Sequence, residues 1–269
     1  MSAPAAPRPA PAAPGAGPPG EPAGAPRAPV GRSWRAFAAP AGVLVAGAAW
    51  MLYVENSGLD AIERRSLAPH YVWEKTWEHV QLTAVSTLAV LAVALPLGIL
   101  LSRAWARPGT PIVLAVADIG QSAPTIGVVV LLAVAFGIGF WTTVVALVAY
   151  GVLPALRNTM VGLQQVDPAL TDAGRGIGMS PAAVLARVEL PLASPVILAG
   201  IRTTLVLMVG TASIASFVSS GGLGDLITTG VTTQRTPVLL TGCVLIALLA
   251  LLVDWLGGTA ARLLAPKGL

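Results

Sequence analysis

The chain has 269 residues, of which 55% are hydrophobic and only 10% are charged, and its formal net charge is +4. Ordinary soluble domains carry about 25% charged residues, so this composition excludes a soluble globular protein and predicts a polytopic membrane protein. The positive charge does not indicate nucleic-acid binding, because the basic residues stand at the ends of apolar runs, where membrane orientation signals lie.

The N-terminal segment is almost entirely Ala, Pro and Gly. Residues 1–32 contain no apolar run that could build a core, so we expect a disordered cytoplasmic tail there. Residues 33–78 are expected to hold the first transmembrane helix, at 36–54, followed by an external loop.

The rest of the chain contains enough apolar sequence for five more spans. Residues 119–156 form an uncharged run of 38 residues, about 57 Å long as a helix, which exceeds a hydrocarbon core about 30 Å thick. The paired glycines of the FGIGF stretch at 136–140 predict a hinge that divides this run. The five spans expected are 80–102, 110–136, 139–156, 193–218 and 236–253.

Six spans place both termini on the same side of the membrane. Most Arg and Lys residues lie on that side if the N-terminus is cytoplasmic, which is the favoured orientation because these residues resist translocation. We therefore predict an all-α fold of about six transmembrane helices, with residues 261–269 as a cytoplasmic C-terminal tail. The longest loop, at about 157–191, is then cytoplasmic.

This loop contains signals for two short helices. Each signal is a capping residue followed by proline at the first helical position, and the two pairs are Asp167-Pro168 and Ser180-Pro181. They predict a helix at about 168–175, ended by a turn at Gly174, Gly176 and Gly178, and a second helix that runs to Glu189 and is ended by Pro191. A self-packed connection is the alternative, but the length and the two caps favour a docking surface.

The stretch from Asp172 to Pro191 has the spacing D-A-G-x3-G-x9-V-x-L-P. It resembles the EAA loop of ABC-transporter permease subunits, which implies a coupling helix that seats in a groove of an ATPase subunit. The residues that the resemblance assigns to this coupling loop are Asp172, Ala173, Gly174, Gly178, Met179, Ser180, Val188, Leu190 and Pro191. Asp172 and Gly174 depart from the usual Glu and Ala, and glycine costs up to about 1 kcal/mol of helix propensity.

Other stretches are similar to the glycine betaine/carnitine/choline branch of these permeases. They are HVQLTAVSTLAVLAVALPLGILLSR from His79, YGVLPALRNTMVGLQQVDPAL from Tyr150, VELPLASPVILAGIRTT from Val188 and SSGGLGDLITTG from Ser219. The likeness covers about 79–256, and we expect a permease core at 79–260. It implies the transmembrane subunit of an ATP-driven importer of quaternary-ammonium osmoprotectants (glycine betaine, choline, carnitine or proline betaine) in the bacterial plasma (inner) membrane.

The resemblance also implies a set of partners. These are an ATPase subunit, a second permease copy or a sister permease, an extracytoplasmic substrate-binding protein and the lipid bilayer, without nucleic acid. The chain contains no G-x-x-x-x-G-K-[ST] phosphate loop. We therefore expect no enzymatic activity, cofactor or metal in this chain, with ATP and Mg bound by the separate ATPase.

Four ionisable residues lie in or beside the predicted spans: Asp118, Arg157, Arg202 and Asp254. Such residues are functional candidates by default, but all four lie near predicted cytoplasmic ends, where charged groups reach water. A structural role is therefore favoured, and Arg157, Asn158 and Arg202 are the candidates for shaping the pathway.

Two alternative functions share part of this pattern. The first is an ABC permease for another small solute, such as an amino acid. The second is an ion-coupled secondary transporter, which would need ionisable groups near the membrane midplane. His70 and His79, which both precede the second span, are expected at surface or interfacial positions rather than as metal ligands.

Overall fold

A computed structural model of the chain describes residues 34–264, so the tail predicted at 1–32 lies outside these described residues, as does the tail predicted at 261–269 beyond residue 264. The described part is almost entirely helical and contains no strand, which confirms the all-α prediction. The chain divides into a short unit, Met1–Phe37, and a large unit, Ala38–Leu269, which contains the site described below. The α-helices are α1 Trp34–Glu55, α2 Ala61–Ser66, α3 Pro69–Leu101, α4 Thr110–Ser122, α5 Thr125–Phe136, α6 Phe140–Gln164, α7 Pro168–Gly176, α8 Pro181–Val184, α9 Leu190–Thr211, α10 Gly224–Thr232 and α11 Thr236–Leu264.

The number of possible membrane crossings agrees with the prediction of about six. Five described segments are long and apolar enough to span a bilayer, and a sixth crossing follows if α4 and α5 count as one bent span. The five segments are Phe37–Glu55, Pro69–Leu101, Phe140–Gln164, Pro181–Val218 and Thr236–Leu264. The second span is longer than expected from the sequence, because α3 begins at Pro69 rather than near residue 80.

The span expected at 110–136 is bent by 96° between α4 and α5. Ala123 is extended at the bend, with φ −66° and ψ 142°, because the ring of Pro124 disfavours a helical conformation of the residue before it. The hinge expected in the FGIGF stretch is confirmed. Gly137 and Gly139, which separate α5 from α6, have φ values of +92° and +154° that favour glycine.

The core is formed mainly by α3, α6 and α9. Helices in a bilayer associate through close packing rather than through the hydrophobic effect, so small residues are needed at their contacts. Gly98 of α3 is such a residue, because a Cβ atom there would lie 2.7 Å from the Cβ atom of Thr159 on α6. Gly162 of α6 similarly faces the carbonyl oxygen of Ala193 on α9, 3.0 Å from an added Cβ.

The surface placement expected for His79 is wrong. Its side chain is completely buried, and its Nε2 donates a hydrogen bond to the carbonyl oxygen of Val209, at 3.0 Å. Because α3 begins at Pro69, His79 lies well inside that helix and faces α9. The last carbonyl groups of a helix have no intrahelical donor, so His79 satisfies a carbonyl group close to the C-terminus of α9.

Candidate functional site

The segment between α6 and α9 is a helical hairpin, which we call the α7–α8 hairpin and define as residues 165–189. The Asp167 carboxylate accepts a hydrogen bond from the backbone N–H of Ala169, at 2.9 Å, at the start of α7. The Ser180 hydroxyl accepts one from the backbone N–H of Ala183, at 3.3 Å, at the start of α8. Both predicted helix caps are confirmed.

Only one of the three glycines expected to end α7 does so. Gly174 and Gly176 belong to the helix, whereas Gly178 has φ +89°. The N–H of Gly178 donates to the carbonyl of Arg175, and the N–H of Met179 donates to the carbonyl of Gly174. This pair of bonds is the Schellman motif, in which a left-handed glycine ends a helix. The turn folds α8 back against α7.

Gly174 allows the two arms of the hairpin to pack. It is buried, and a Cβ atom there would lie 3.4 Å from Met179 Sδ, 3.4 Å from a methyl group of Val184 and 3.8 Å from one of Val188. Met179 and Val188 therefore belong to the hairpin interior. Other residues that the sequence assigned to docking are exposed, namely Asp172, Ala173, Gly178 and Ser180.

The expectation that Pro191 ends the second helix is wrong. Residues 185–189 form a π-helical turn, in which the N–H of Leu190 donates to the carbonyl of Leu185, and α9 follows without a break. Pro191 lies in the first turn of α9, where its missing N–H is tolerated. Leu190 and Pro191 are half-buried. The second arm of the hairpin is therefore one helical rod with the membrane segment that follows it.

The free surface of the hairpin combines apolar and charged groups. Ile177 is 82% exposed at the turn, and Leu170 of α7 is also exposed. Beside them, Asp172 pairs with Arg175 at 3.2 Å, and both side chains face solvent. Exposed apolar residues next to charges are typical of a surface that a partner covers. The hairpin thus has the composition of a docking site.

A buried ion pair connects the base of the hairpin to the end of α3, and the sequence reasoning did not foresee it. Glu189 is the last residue of the π-helical turn, and its side chain is only 9% exposed. Arg103 donates to both carboxylate oxygens, with Nη2 2.5 Å from Oε2 and Nη1 3.2 Å from Oε1. The available signal in the sequence was the charge of Glu189, which stands next to the apolar residues Val188 and Leu190.

The pathway candidates do not meet in one place. Arg157 of α6 forms an ion pair with Asp118 of α4, in which the single nitrogen Nη2 donates to both carboxylate oxygens, at 2.7 and 2.8 Å. Arg202 of α9 forms another with Asp254 of α11, at 2.6 and 2.5 Å. The four ionisable residues singled out from the sequence are therefore two neutralised pairs on different helix contacts.

Asn158 has a packing position between α6 and α9. Its side-chain amide donates to the carbonyl oxygen of Pro154, at 2.8 Å, and its Cβ atom occupies the space that a side chain at Gly200 would need.

Within residues 34–264, no group of three or more His, Cys, Asp or Glu residues could hold a metal ion.

The Ser219–Gly224 stretch lies at the far end of the bundle, opposite the hairpin. The backbone N–H of Gly222 donates to Glu78 of α3, at 2.8 Å, and Lys75 bridges Glu78 and Asp225, at 2.9 and 3.0 Å. Ser220 donates to the carbonyl oxygen of Gly139, at 3.0 Å. The stretch therefore ties α3 to α10 and to the turn between α5 and α6.

Comparison with known proteins gives consistent results. Residues 94–267 match the family described as binding-protein-dependent transport system inner membrane component. The chain is 38% identical to the choline transport system permease protein OpuBB of Bacillus subtilis (strain 168), over 72% of this chain and 89% of that protein. It is 39% identical to the carnitine transport permease protein OpuCD of Listeria monocytogenes serotype 1/2a (strain 10403S), over 73% and 87%.

The fold also resembles a solved transporter. A chain of the MetNI methionine ABC transporter, in an inward-facing conformation, superposes with a TM-score of 0.64 at 25% identity. The superposition covers 72% of this chain and 96% of the other.

Proposed function

This chain belongs to the family of inner-membrane components of binding-protein-dependent transport systems, and on that premise we propose that it imports quaternary-ammonium osmoprotectants. As a member of that family it is the multi-pass permease subunit of an ABC importer. Glycine betaine, choline, carnitine and proline betaine are the proposed substrates. The observation that carries this choice is that relatives 38% and 39% identical are named as choline and carnitine permeases.

The proposed complex contains an ATPase subunit, a second permease copy or sister permease, and an extracytoplasmic substrate-binding protein. The ATPase binds ATP and Mg, and this chain itself carries no cofactor and catalyses no reaction. The hairpin end of the bundle faces the cytoplasm in this proposal, with both termini on that side. The residues proposed to meet the ATPase are the exposed ones of the hairpin, chiefly Asp172, Ala173, Ile177 and Ser180.

The mechanism follows from the continuity between the hairpin and the membrane segment. When ATP closes the ATPase subunits, the docked α7–α8 hairpin moves with them. Its second arm runs through the π-helical turn into α9 without a break, so a displacement of the hairpin tilts α9 rather than bending a flexible loop. Helices packed on α9 then change their tilt, and the pathway opens to the binding protein.

Substrate selection is assigned mainly to the binding protein. Aromatic side chains that enclose a quaternary ammonium group are the usual means of recognising it. Four tryptophans of this chain are exposed at helix ends instead of facing each other, namely Trp73, Trp77, Trp105 and Trp141. Such positions are typical of anchoring at the membrane interface.

Two other functions are separated from this one by a single experiment. The methionine transporter that shares the fold supports an amino-acid permease as the second candidate. An ion-coupled transporter is the third, but the four ionisable residues singled out from the sequence are paired as Arg157–Asp118 and Arg202–Asp254, so neither carboxylate of these two pairs is free to bind an ion.

The test is uptake into proteoliposomes that contain this chain with the ATPase and the binding protein from the same source. We expect uptake of labelled glycine betaine, choline or carnitine that needs ATP inside the vesicle and is unaffected by ionophores. Uptake of methionine alone would favour the second candidate. Uptake driven by an ion gradient without ATP would contradict the proposal.

A further inference from the structure

The ion pair between Arg103 and Glu189 stands at the junction of the hairpin and the bundle. Glu189 is the residue where the π-helical turn meets α9, and Arg103 lies two residues beyond the end of α3. The guanidinium and the carboxylate make a two-point contact, which fixes distance and orientation better than a single hydrogen bond. The side chains are 28% and 9% exposed, so solvent screens the pair weakly.

Apolar packing does not connect the first arm of the hairpin to the end of α3 beside this ion pair. A cavity of about 910 Å³ lies beside the pair, bounded by Leu114 of α4, Leu163 of α6 and Thr171 of α7 as well as by Arg103 and Glu189. The first arm of the hairpin is therefore separated by open space from the end of α3. Helix α3 packs instead on α6 and α9, within the bundle.

A buried ion pair is a poor means of stabilising a fold, because desolvation of the two charges offsets their attraction. A π-helical turn is likewise unusual in an α-helix and is frequent at functional sites. Their coincidence at one residue of the hairpin needs a reason other than stability. A stiff polar link that leaves the neighbouring space free is suited to transmitting a movement.

We infer that Arg103 and Glu189 are a positioning pair that transmits the ATP-driven movement of the α7–α8 hairpin to α3. The inference rests on the proposed function, because it presumes an ATPase docked on the hairpin. In this arrangement the hairpin acts on the bundle by two routes. It moves α9 through the continuous helix and α3 through the ion pair, so both helices tilt together.

The test uses the complete complex and the variant Glu189→Gln, which is nearly isosteric and removes only the charge. Arg103 keeps its further hydrogen bond, from Nε to the carbonyl of Ile99 at 3.3 Å, so the end of α3 stays capped. We expect the ATPase to co-purify as with the wild type. The ratio of ATPase activity with binding protein and glycine betaine to basal activity should fall about tenfold, in the range of coupling between distant sites.

The second readout is the amount of glycine betaine taken up per ATP hydrolysed, which a purely structural role would not change. The double variant Arg103→Glu with Glu189→Arg should restore at least part of this ratio, because it rebuilds the pair in reverse. Arg235→Gln is the matched control. It removes an arginine pair of similar length, 3.0 Å to Asp60, at the far end of the bundle, and it should leave the ratio unchanged.

Each result decides a separate point. If the wild-type complex shows no ATP-dependent uptake, the proposed function fails. If the wild type transports and Glu189→Gln has an unchanged ratio, the inference is wrong. Loss of the ATPase from the Glu189→Gln complex would also overturn it, because the pair would then maintain the docking surface. An equal loss in Arg235→Gln would show an unspecific effect of removing a charge pair and would overturn it as well. Thermal unfolding of each purified variant identifies a variant that does not fold. If Glu189→Gln does not fold, the double variant decides: the inference requires it to couple uptake to ATP hydrolysis at least in part, and no coupling would contradict the inference.

Discussion

The three glycines of the α7–α8 hairpin allow one substitution to be tested in three environments. Gly174 is inside α7 and its added Cβ would meet Met179 Sδ at 3.4 Å, an ordinary contact distance. Replacement by alanine should therefore stabilise the helix by about 1 kcal/mol, the difference in propensity between the two residues. At 25 °C this corresponds to an about fivefold lower equilibrium constant for local opening of the helix.

We expect different results when alanine replaces either of the other two glycines of the hairpin. Gly176 is the last residue of α7 and has no atom near an added Cβ, so alanine should alter opening by less than about twofold. Gly178 also has open space around it, but its φ is +89°. A Cβ atom in a left-handed conformation costs roughly 1–2 kcal/mol, which should raise the equilibrium constant for local opening by about 5- to 30-fold.

The assay is hydrogen–deuterium exchange of the amides of α7 and of the turn, measured by mass spectrometry and corrected for intrinsic rates. We expect protection to rise for Gly174→Ala, to stay nearly constant for Gly176→Ala and to fall for Gly178→Ala. Faster exchange in Gly174→Ala would refute the packing described for the two arms. Unchanged exchange in Gly178→Ala would refute the left-handed turn.

Two further predictions concern the far end of the bundle. Gly224→Ala should prevent stable folding, because its Cβ would collide with the carbonyl oxygen of Ser213. Gly210→Ala should be tolerated, since no atom lies near an added Cβ there. The yield of folded protein after purification distinguishes the two variants. His79→Leu should destabilise the protein by about 1–3 kcal/mol, the cost of leaving the carbonyl of Val209 without its donor. A thermal unfolding midpoint equal to that of the wild type in detergent would contradict this account of His79.

Local features of the hairpin could be predicted from the sequence because they depend on neighbouring residues. A cap is formed by a side chain and a backbone group two or three positions apart. The helix caps at Asp167 and Ser180 could therefore be predicted from the residue type at each position and from the proline that follows it. The hinge at Gly137 and Gly139 depended in the same way on local backbone freedom.

Features that depend on neighbours in space were not predictable. The pairing of Arg157 with Asp118 joins residues 39 positions apart, and that of Arg202 with Asp254 joins residues 52 apart. The sequence identified these four as unusual but not as pairs. The burial of His79 likewise depends on α9, which lies far away in the chain.

Two prolines show how one residue type permits different outcomes. Pro124 bends the chain by 96° because the residue before it leaves the helical conformation. Pro191 does not interrupt the helix, because it falls in the first turn of α9 and the π-helical turn before it takes up the irregular hydrogen bonding. The position of a proline relative to a helix start decides the result, and that position was not evident from composition.

The central claim is that the α7–α8 hairpin of this permease binds the ATPase subunit. Its most direct test is the affinity of the purified ATPase for the Ile177→Asp variant, with Ile138→Asp, an exposed isoleucine at the far end, as the control. Burial of an isoleucine contributes about 1.5–3 kcal/mol, so binding should weaken by about 10- to 150-fold for Ile177→Asp and remain unchanged for the control. Equal ATPase affinity for the wild type and Ile177→Asp would contradict the account.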